Sequence, residues 1–342
     1  MRPRGPGYEA RYWHTMPDGR IECEVCPRRC HLSDGQAGFC FVRRNSGGVL
    51  ELATHGRSSG LAIDPIEKKP LYHVFPGTNV LSFGTAGCSF ACRFCQNWHI
   101  STARSMDVLS VDAPPDIIAQ TARQKNCRGI AYTYNEPTIY PEYAIDTAVA
   151  AHELGLINIA VTAGSILSPA REDFFAPMDA ANVDLKSFNP DFYRKLVGGR
   201  LDVVLDTLKY LVHETSVWVE VTTLVIPDQN DSDDEIAKLA SWVATELGQH
   251  VPLHLSAFHP SNRMSDTAPT PPLTLRRARE IALDQGLSFV YTGNITDQEG
   301  STTYCPNCGQ ALVGRRGFRV AEMHLTNDGT CQYCDTPIPG RW

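Results

Sequence analysis

The cysteines are the residues of this sequence best placed to do chemistry. Twelve occur in 342 residues, and eleven of them fall into three groups by spacing. The groups are Cys23, Cys26, Cys30 and Cys40; Cys88, Cys92 and Cys95; and Cys305, Cys308, Cys331 and Cys334. Thiols two or three residues apart can bind one metal site but rarely meet disulfide geometry with each other. The spacing predicts metal sites in a reducing compartment, which we take to be the cytoplasm. Cys127 stands alone and is expected to be a buried structural thiol.

The central group has three cysteines, in the run Gly87-Cys88-Ser89-Phe90-Ala91-Cys92-Arg93-Phe94-Cys95-Gln96-Asn97. A structural zinc site needs four protein ligands, so three thiolates would need a distant His or Cys to complete one. Three thiolates can instead hold three irons of a [4Fe–4S] cube and leave the fourth iron open to a small molecule. The spacing favours the cube.

The two outer groups have four cysteines each. The C-terminal spacing, Cys305-x2-Cys308-x22-Cys331-x2-Cys334, is typical of a zinc ribbon, in which four thiolates close a structural site. A rubredoxin-like iron site has the same ligands and is the alternative. The N-terminal quartet is spaced x2, x3 and x9, which fits zinc or a second iron–sulfur cluster. The sequence slightly favours zinc there, because the quartet precedes every predicted barrel strand.

The elements that must position these groups are predicted between residues 78 and 292, where β-rich runs alternate with helical periodicity. Strands are expected near Asn79–Gly84, Gly129–Tyr134, Ile157–Thr162, Asn182–Lys186, Val217–Val225, Pro252–Ala257 and Ser288–Tyr291. Helices are expected near 113–126, 138–154, 200–214, 232–248 and 273–285. About six βα units fit a partial (β/α)6 TIM-like barrel better than a complete eightfold one. The predicted domains are an N-terminal arm and Cys-rich knuckle (1–77), the barrel (78–298) and a zinc-ribbon-like module (299–342).

Composition excludes several function classes. Hydrophobic residues make up 42% and charged residues 20%, as is usual for a globular protein with a sizeable core. Lys and Arg total 31 against 38 Asp and Glu, so a general basic surface for nucleic acid or anionic membrane is not expected. No stretch is long and apolar enough to predict a membrane span, and residues 1–7 lack the apolar core of a secretory signal.

The central cysteine run resembles the CxxxCxφC signature of radical S-adenosylmethionine (SAM) enzymes, with Phe94 in the aromatic position. The resemblance implies a partial (β/α)6 barrel and a [4Fe–4S] cluster whose open iron binds the amino and carboxylate groups of SAM. It further implies that an electron from the cluster cleaves SAM to methionine and a 5′-deoxyadenosyl radical, which abstracts hydrogen from a substrate. The expected electron donor is a reductant such as flavodoxin or ferredoxin.

Other predicted strand ends resemble the same family. Tyr134-Asn135-Glu136-Pro137 is similar to its GGEP segment, with Tyr and Asn in place of the glycines, and Thr162-Ala163-Gly164 is similar to its TNG-like turn. Asp184-Leu185-Lys186 resembles the DLK of glycyl-radical-enzyme activases, although a strand-end salt bridge would look the same. His254 and His259 flank the sixth strand. By this resemblance the SAM contacts are Phe94, Asn135, Glu136, Thr162, Asp184, Lys186 and His254. No catalytic side chain beyond the cluster is assigned.

The pattern over residues 10–342 resembles the AmmeMemoRadiSam-system radical SAM proteins, relatives of the pyruvate formate-lyase activating enzyme. The residues that carry it are Cys26–Leu32, Asp64–His73, Cys95–Trp98 and Tyr291–Asn294. Lys68, Lys69 and His73 are expected at the mouth of the site. Three functions follow as hypotheses: hydrogen abstraction from a small molecule, glycyl-radical formation on a partner protein, or a zinc-ribbon adaptor for protein or RNA with a vestigial barrel. The complete cysteine triad argues against the adaptor, since an adaptor has no use for an open iron.

Overall fold

A computed structural model describes residues 7–103 and 110–342; most of the N-terminal segment considered above for a secretory signal lies outside these ranges. Short strands precede the main sheet: β1 Tyr8–Glu9, β2 Trp13–Thr15, β3 Ile21–Cys23, β4 His31–Leu32, β5 Arg43–Ser46, β6 Val49–Leu52 and β7 Arg57–Ser58. They form two small antiparallel sheets, β1-β6-β5 and β2-β3-β4, while β7 pairs with β10, Val111–Asp112.

The main sheet has eight strands in the described residues: β8 Gly60–Pro65, β9 Asn79–Gly84, β11 Gly129–Tyr132, β12 Ile157–Thr162, β13 Ala180–Asp184, β14 Trp218–Val225, β15 Leu253–Ala257 and β16 Val290–Gly293. Their order is β16-β15-β14-β13-β12-β11-β9-β8, and the strands from β9 to β16 are parallel. The sheet is open between β16 and β8, as a partial barrel requires. The predicted α/β fold is confirmed.

Helices separate the parallel strands: α1 Trp98–Ser101, α2 Pro115–Gln124, α3 Pro141–Glu153, α4 Ala170–Phe175, α5 Pro190–Phe192, α6 Leu201–Glu214, α7 Asp233–Trp242, α8 Pro272–Asp284 and α9 Gln298–Ser301. Short 3-10 turns span Ile66–Lys68 and Pro137–Ile139, and π-helical turns span Tyr193–Val197 and Val243–Leu247. The five predicted helices are all present, whereas α4 and α5 are too short to give a periodic signal. Local chemistry fixes helix starts such as α7, where the Ser232 hydroxyl accepts a hydrogen bond from the Glu235 amide.

Strand β8 lies within residues 1–77, which the sequence assigned to an N-terminal arm and Cys-rich knuckle rather than to the main sheet. It pairs antiparallel with β9 from Gly60–Gly84 to Pro65–Asn79. Leu61 and Ile63 on this edge strand remain 44% and 46% exposed. An edge strand is held by its backbone hydrogen bonds on one side and buries little, so its sequence lacks the continuous apolar run of the central strands.

Both terminal regions pack on the sheet and its helices. In the N-terminal region, buried Arg43 forms an ion pair with buried Glu142 of α3, with Nη1 and Oε2 2.9 Å apart. The C-terminal region forms a small antiparallel sheet: β17 Thr303–Tyr304, β18 Ala311–Arg316 and β19 Arg319–Met323. Its Arg315 is buried and donates a hydrogen bond to the Tyr72 carbonyl at 2.7 Å. None of the described helices combines the length and the apolar character needed to span a bilayer.

Candidate active site

A pocket of about 280 Å³ opens beyond the carboxyl ends of the parallel strands. This is where parallel α/β folds usually carry their chemistry. Its walls include the central cysteine triad and six of the seven residues that the sequence associates with SAM; these are Cys88, Cys92, Cys95, Phe94, Asn135, Glu136, Thr162, Asp184 and Lys186. One cavity therefore gathers residues from the ends of β9, β11, β12 and β13.

The cysteine triad lies on the loop between β9 and α1, and neighbouring backbone fixes this loop. The Ala91 and Arg93 amides donate to the carbonyls of Val197 and Leu196 at 2.8 and 2.9 Å. Burial raises the pKa of Cys92 to about 12, although the Lys186 charge opposes the shift. A thiol with such a pKa becomes a thiolate only when it binds a cation. The donor set fits an iron–sulfur cluster, because three partly buried cysteines on one loop adjoin open space for a further ligand.

Asn135 supports this loop directly. Its Nδ2 donates to the Gly87 carbonyl at 2.8 Å, and its Oδ1 accepts from the Thr85 amide at 3.1 Å. Both the nitrogen and the oxygen of the side-chain amide are therefore hydrogen-bonded to the backbone at the start of the cysteine loop. Asn135 also lines the pocket, so the contact with SAM that the resemblance implies stays a prediction.

Glu136 follows β11 and is held against the end of β12. Its carboxylate accepts hydrogen bonds from the Thr162 hydroxyl and, at 2.7 Å, from the Ala163 amide. Burial raises the pKa of Glu136, and these hydrogen bonds oppose that shift. An incoming ammonium group would meet a carboxylate already oriented by its neighbours.

Asp184 and Lys186, at the end of β13, contribute a carboxylate and an ammonium group to the pocket. Lys186 Nζ lies 2.8 Å from Asp184 Oδ2, and it lies 5.9 Å from the centre of the Phe94 ring. Burial alone would lower the pKa of Lys186, but the Asp184 carboxylate, and Cys92 when it is deprotonated, raise it overall. The Lys186 ammonium is therefore charged and lies close to the cysteine loop. It can form an ion pair with a ligand carboxylate in addition to the one with Asp184.

His254 is the predicted SAM residue that the structure places elsewhere. It lies near the start of β15, is 4% exposed, and its Nε2 is 2.6 Å from Glu220 Oε2. His73 is buried at the same end of the sheet, with Nε2 2.6 Å from the Tyr291 hydroxyl. Both side chains are bonded to protein partners and neither lines the pocket, so the SAM contact of His254 stays a prediction.

Lys68 and Lys69 are also occupied elsewhere, since their Nζ atoms lie 2.9 and 2.8 Å from the Asp64 carboxylate. The pocket is also lined by residues that the sequence did not assign to the site: Thr133, Tyr134, Thr222, Leu224, Ser256 and Asn294. Strand alternation could have found Thr222 and Ser256, because they stand two residues beyond Glu220 and His254 on the same strand faces. Asn294 lies just past β16, in a motif that the sequence had marked for family resemblance only.

The C-terminal cysteines converge tightly. The Sγ atoms of Cys305, Cys308, Cys331 and Cys334 all lie within 4.8 Å of one another, with the closest pairs 3.6 and 3.8 Å apart. A tetrahedral ion with metal–sulfur bonds of about 2.3 Å needs sulfurs about 3.8 Å apart. This cluster is therefore consistent with the predicted zinc ribbon, and none of its cysteines lines the pocket.

The N-terminal cysteines converge as well. Cys23, Cys26, Cys30 and Cys40 line one small cavity beside the central cysteine loop. Burial raises the pKa of Cys26, and the neighbouring thiolates of Cys23, Cys40 and Cys30 raise it further. The four thiols thus share one site.

Comparison with known proteins agrees with this geometry. The sequence profile of the radical SAM superfamily matches residues 83–240. An uncharacterized protein of Methanocaldococcus jannaschii is 42% identical over 332 residues, which is 96% of this chain and 98% of that protein. A pyruvate formate-lyase-activating enzyme of Streptococcus mutans is 23% identical over 180 residues, covering 50% of this chain and 67% of the enzyme.

Two crystal structures share the fold. A radical SAM methyltransferase from Sphaerobacter thermophilus superposes with a TM-score of 0.52 at 18% identity, covering 69% of this chain and 71% of that one. Streptococcus suis SuiB bound to its precursor peptide SuiA gives a TM-score of 0.50 at 16% identity, covering 67% of this chain and 51% of that one. At such identities the likeness concerns the fold alone.

Proposed function

The chain belongs to the radical SAM superfamily, and on this premise we propose that it binds a [4Fe–4S] cluster and SAM in the described pocket and abstracts hydrogen from a small molecule. The observation that carries the proposal is the single pocket that joins three cysteines to a lysine and a glutamate. We further propose that it belongs to the AmmeMemoRadiSam-system group within the superfamily, on the motifs given above, and that it works in the cytoplasm with a flavodoxin or ferredoxin as electron donor.

The proposed roles follow from the charged side chains that line the pocket. Cys88, Cys92 and Cys95 hold the cluster, which when bound supplies the electron for reductive cleavage of SAM. Lys186 pairs with the SAM carboxylate, and Glu136 accepts hydrogen bonds from its ammonium group. Phe94 and the apolar part of the wall keep water from the reacting atoms.

The part of the pocket formed by β14, β15 and the residue after β16 favours an uncharged polar substrate. Thr222, Ser256 and Asn294 contribute two hydroxyls and an amide, and none of them carries a charge. The charged side chains Glu136, Asp184 and Lys186 come from the chain at the ends of β11 and β13, and the proposal assigns them to SAM. A neutral small molecule with hydrogen-bonding groups would therefore fit the remaining space best.

The activase alternative is supported by the distant similarity to the activating enzyme of Streptococcus mutans, which covers half of this chain. It differs from the first proposal in its product, because an activase leaves a glycyl radical on a partner protein. Electron paramagnetic resonance of a candidate glycyl-radical enzyme incubated with this chain, SAM and reductant would detect that radical.

The test of the proposed function is anaerobic reconstitution of the full chain with iron, sulfide, SAM and a strong reductant. The expected product is 5′-deoxyadenosine, and its formation should be lost when Cys88, Cys92 and Cys95 are all replaced by Ala. Cys127→Ala is the matched control, since this cysteine is buried outside the three groups and should leave product formation unchanged. Equal product from the triple variant would refute the assignment of the pocket.

A further inference from the structure

We propose that Cys23, Cys26, Cys30 and Cys40 bind a second iron–sulfur cluster of the [4Fe–4S] class, held by four protein thiolates. The sequence slightly favours zinc at this quartet. Three features of the structure point to the cluster instead: the spacing of the sulfurs, two buried polar atoms at the cavity, and the contact with the central cysteine loop.

The sulfur spacing separates the three cysteine groups. Throughout residues 7–103 and 110–342, the C-terminal quartet is the one set of three or more Cys, His, Asp or Glu residues whose ligand atoms all lie within 4.8 Å. No three of the N-terminal cysteines meet this distance, and neither does the central triad. A zinc ion needs sulfurs about 3.8 Å apart, whereas each thiolate of a cube binds a different iron and the sulfurs lie farther apart. The sulfurs of the N-terminal quartet are therefore gathered less tightly than those of the ribbon, as a cube rather than a single zinc ion requires.

The cavity between these cysteines also contains unused hydrogen-bond donors. Arg43 and Ser89 line it and are 1% and 3% exposed. Arg43 Nε and the Ser89 hydroxyl are both buried, and neither has a hydrogen-bond partner among the described residues. Buried donors are rarely left unpaired. The sulfurs of an iron–sulfur cluster accept such hydrogen bonds, so a cube in the cavity would satisfy both groups.

The segment that carries the N-terminal cysteine quartet packs against the loop that carries Cys88, Cys92 and Cys95. Arg28 donates from Nε to the Ser89 carbonyl at 2.5 Å and from Nη2 to the Gly198 carbonyl at 2.6 Å. Gly87 has a φ of +83°, and a Cβ at that position would overlap the Cys40 carbonyl. The two cysteine sites are therefore in direct contact through their backbones. Because four thiolates occupy all four irons, the second cluster would have no open iron and would not bind SAM.

The decisive experiment uses the full chain with Cys88, Cys92 and Cys95 replaced by Ala, reconstituted anaerobically with iron and sulfide. We expect about four iron and about four sulfide per chain together with about one zinc from the ribbon. The electron paramagnetic resonance spectrum of the reduced cluster should not change when SAM is added. An absence of iron together with about two zinc per chain would overturn the proposal.

A second variant, Cys26→Ala with Cys30→Ala, should lose about half of the iron of the unmodified chain and keep its zinc. Cys127→Ala should keep all of both metals. If the quartet variant does not fold, metal analysis of the unmodified chain decides: about eight iron and one zinc support the second cluster, and about four iron and two zinc contradict it. Failure of the proposed function is a separate result, because it would appear as lost SAM cleavage by a chain that carries its full iron content.

Discussion

The interior of the sheet carries two layers of polar side chains that behave differently although they lie only two residues apart. In the upper layer, Asp184, Thr222 and Ser256 line the pocket. In the lower layer, on the same strand faces, stand Asn182, Glu220 and His254. The upper side chains face space for a ligand, whereas the lower ones are buried and bonded to protein.

A single segment, Pro70–His73, closes the lower layer. Asn182 Nδ2 donates to the Pro70 carbonyl at 2.7 Å, and the amides of Tyr72 and His73 donate to the Glu220 carboxylate at 3.0 and 2.8 Å. The imidazole of His254 forms a further hydrogen bond with the Glu220 carboxylate. A buried Glu–His pair whose carboxylate is already bonded by other parts of the chain is therefore not by itself evidence of a catalytic site.

The largest expected effect comes from breaking the lower layer. Glu220→Ala removes the common acceptor and leaves His254 buried without its partner, which should cost about 3–5 kcal/mol of unfolding free energy. The measurement is the denaturant midpoint of the metal-loaded chain. Thr222→Val, one layer higher on the same strand, is the control and should change stability by less than about 1 kcal/mol. Equal losses in the two variants would contradict the division into layers.

The sequence predicts which face of a strand each side chain lies on. It does not predict whether a side chain on the interior face reaches the pocket or stays in the closed layer beneath it. His254 and Ser256 alternate correctly onto the interior face, and nothing local shows which of them reaches the pocket. The difference arises because the Tyr72 and His73 amides cap Glu220 from about 150 residues away in sequence. A long-range backbone contact of this kind leaves no local pattern, so the sequence could not show that His254 is bonded to Glu220 rather than lining the pocket.

The cysteine groups show the same limit. Their spacing predicted three metal sites, because neighbouring thiols on one turn must converge. The metal at the N-terminal quartet depends on sulfur–sulfur distances set by the packing of β3 and its loops against the central loop. The spacing x2, x3 and x9 does not fix those distances. The strands of the sheet were predicted well, since continuous apolar runs identify buried parallel strands.

The next largest expected effect is a dependence of the unfolding free energy on pH, and it arises at His73 in the segment that closes the lower layer. Burial lowers the pKa of His73 from 6.5 to about 4, although Glu220 opposes the shift. The neutral ring stabilises the fold fully above pH 6.5, and this stabilisation is lost as the pH falls towards 4 because the unfolded chain binds the proton more tightly. The difference is about 3 kcal/mol.

A comparison of the unmodified chain with His73→Gln isolates this contribution from other groups, including Glu220, whose pKa is held low by His254 against the effect of burial. The difference in unfolding free energy between the two chains should shrink by about 3 kcal/mol between pH 7 and pH 4. A constant difference across that range would show that His73 does not titrate differently in the folded chain.

In the upper layer the expected effect is on ligand binding. Lys186→Met removes the ammonium proposed for the SAM carboxylate, and loss of a charge-assisted contact is worth about 1.5–3 kcal/mol, or roughly 10- to 100-fold in affinity. SAM affinity should be measured with the cluster absorbance intact. Lys68→Met is the control, since Lys68 is an exposed partner of Asp64 outside the pocket, and its affinity should not change. Unchanged affinity in Lys186→Met would remove this residue from the cofactor site.

The smallest effect is expected at Ser256, and it tests whether the layers are independent. Ser256→Ala removes one hydroxyl from a partly exposed pocket wall and should change the unfolding free energy by less than about 0.5 kcal/mol. In a double-mutant cycle with Glu220→Ala, its interaction energy should likewise stay below about 0.5 kcal/mol, since additivity holds for sites without shared partners. His254→Ala in the same cycle should couple by about 1–3 kcal/mol, because His254 and Glu220 bond directly. Coupling of Ser256 as strong as that of His254 would mean that both layers form one network, and the pocket would then depend on the closed end of the sheet for its stability.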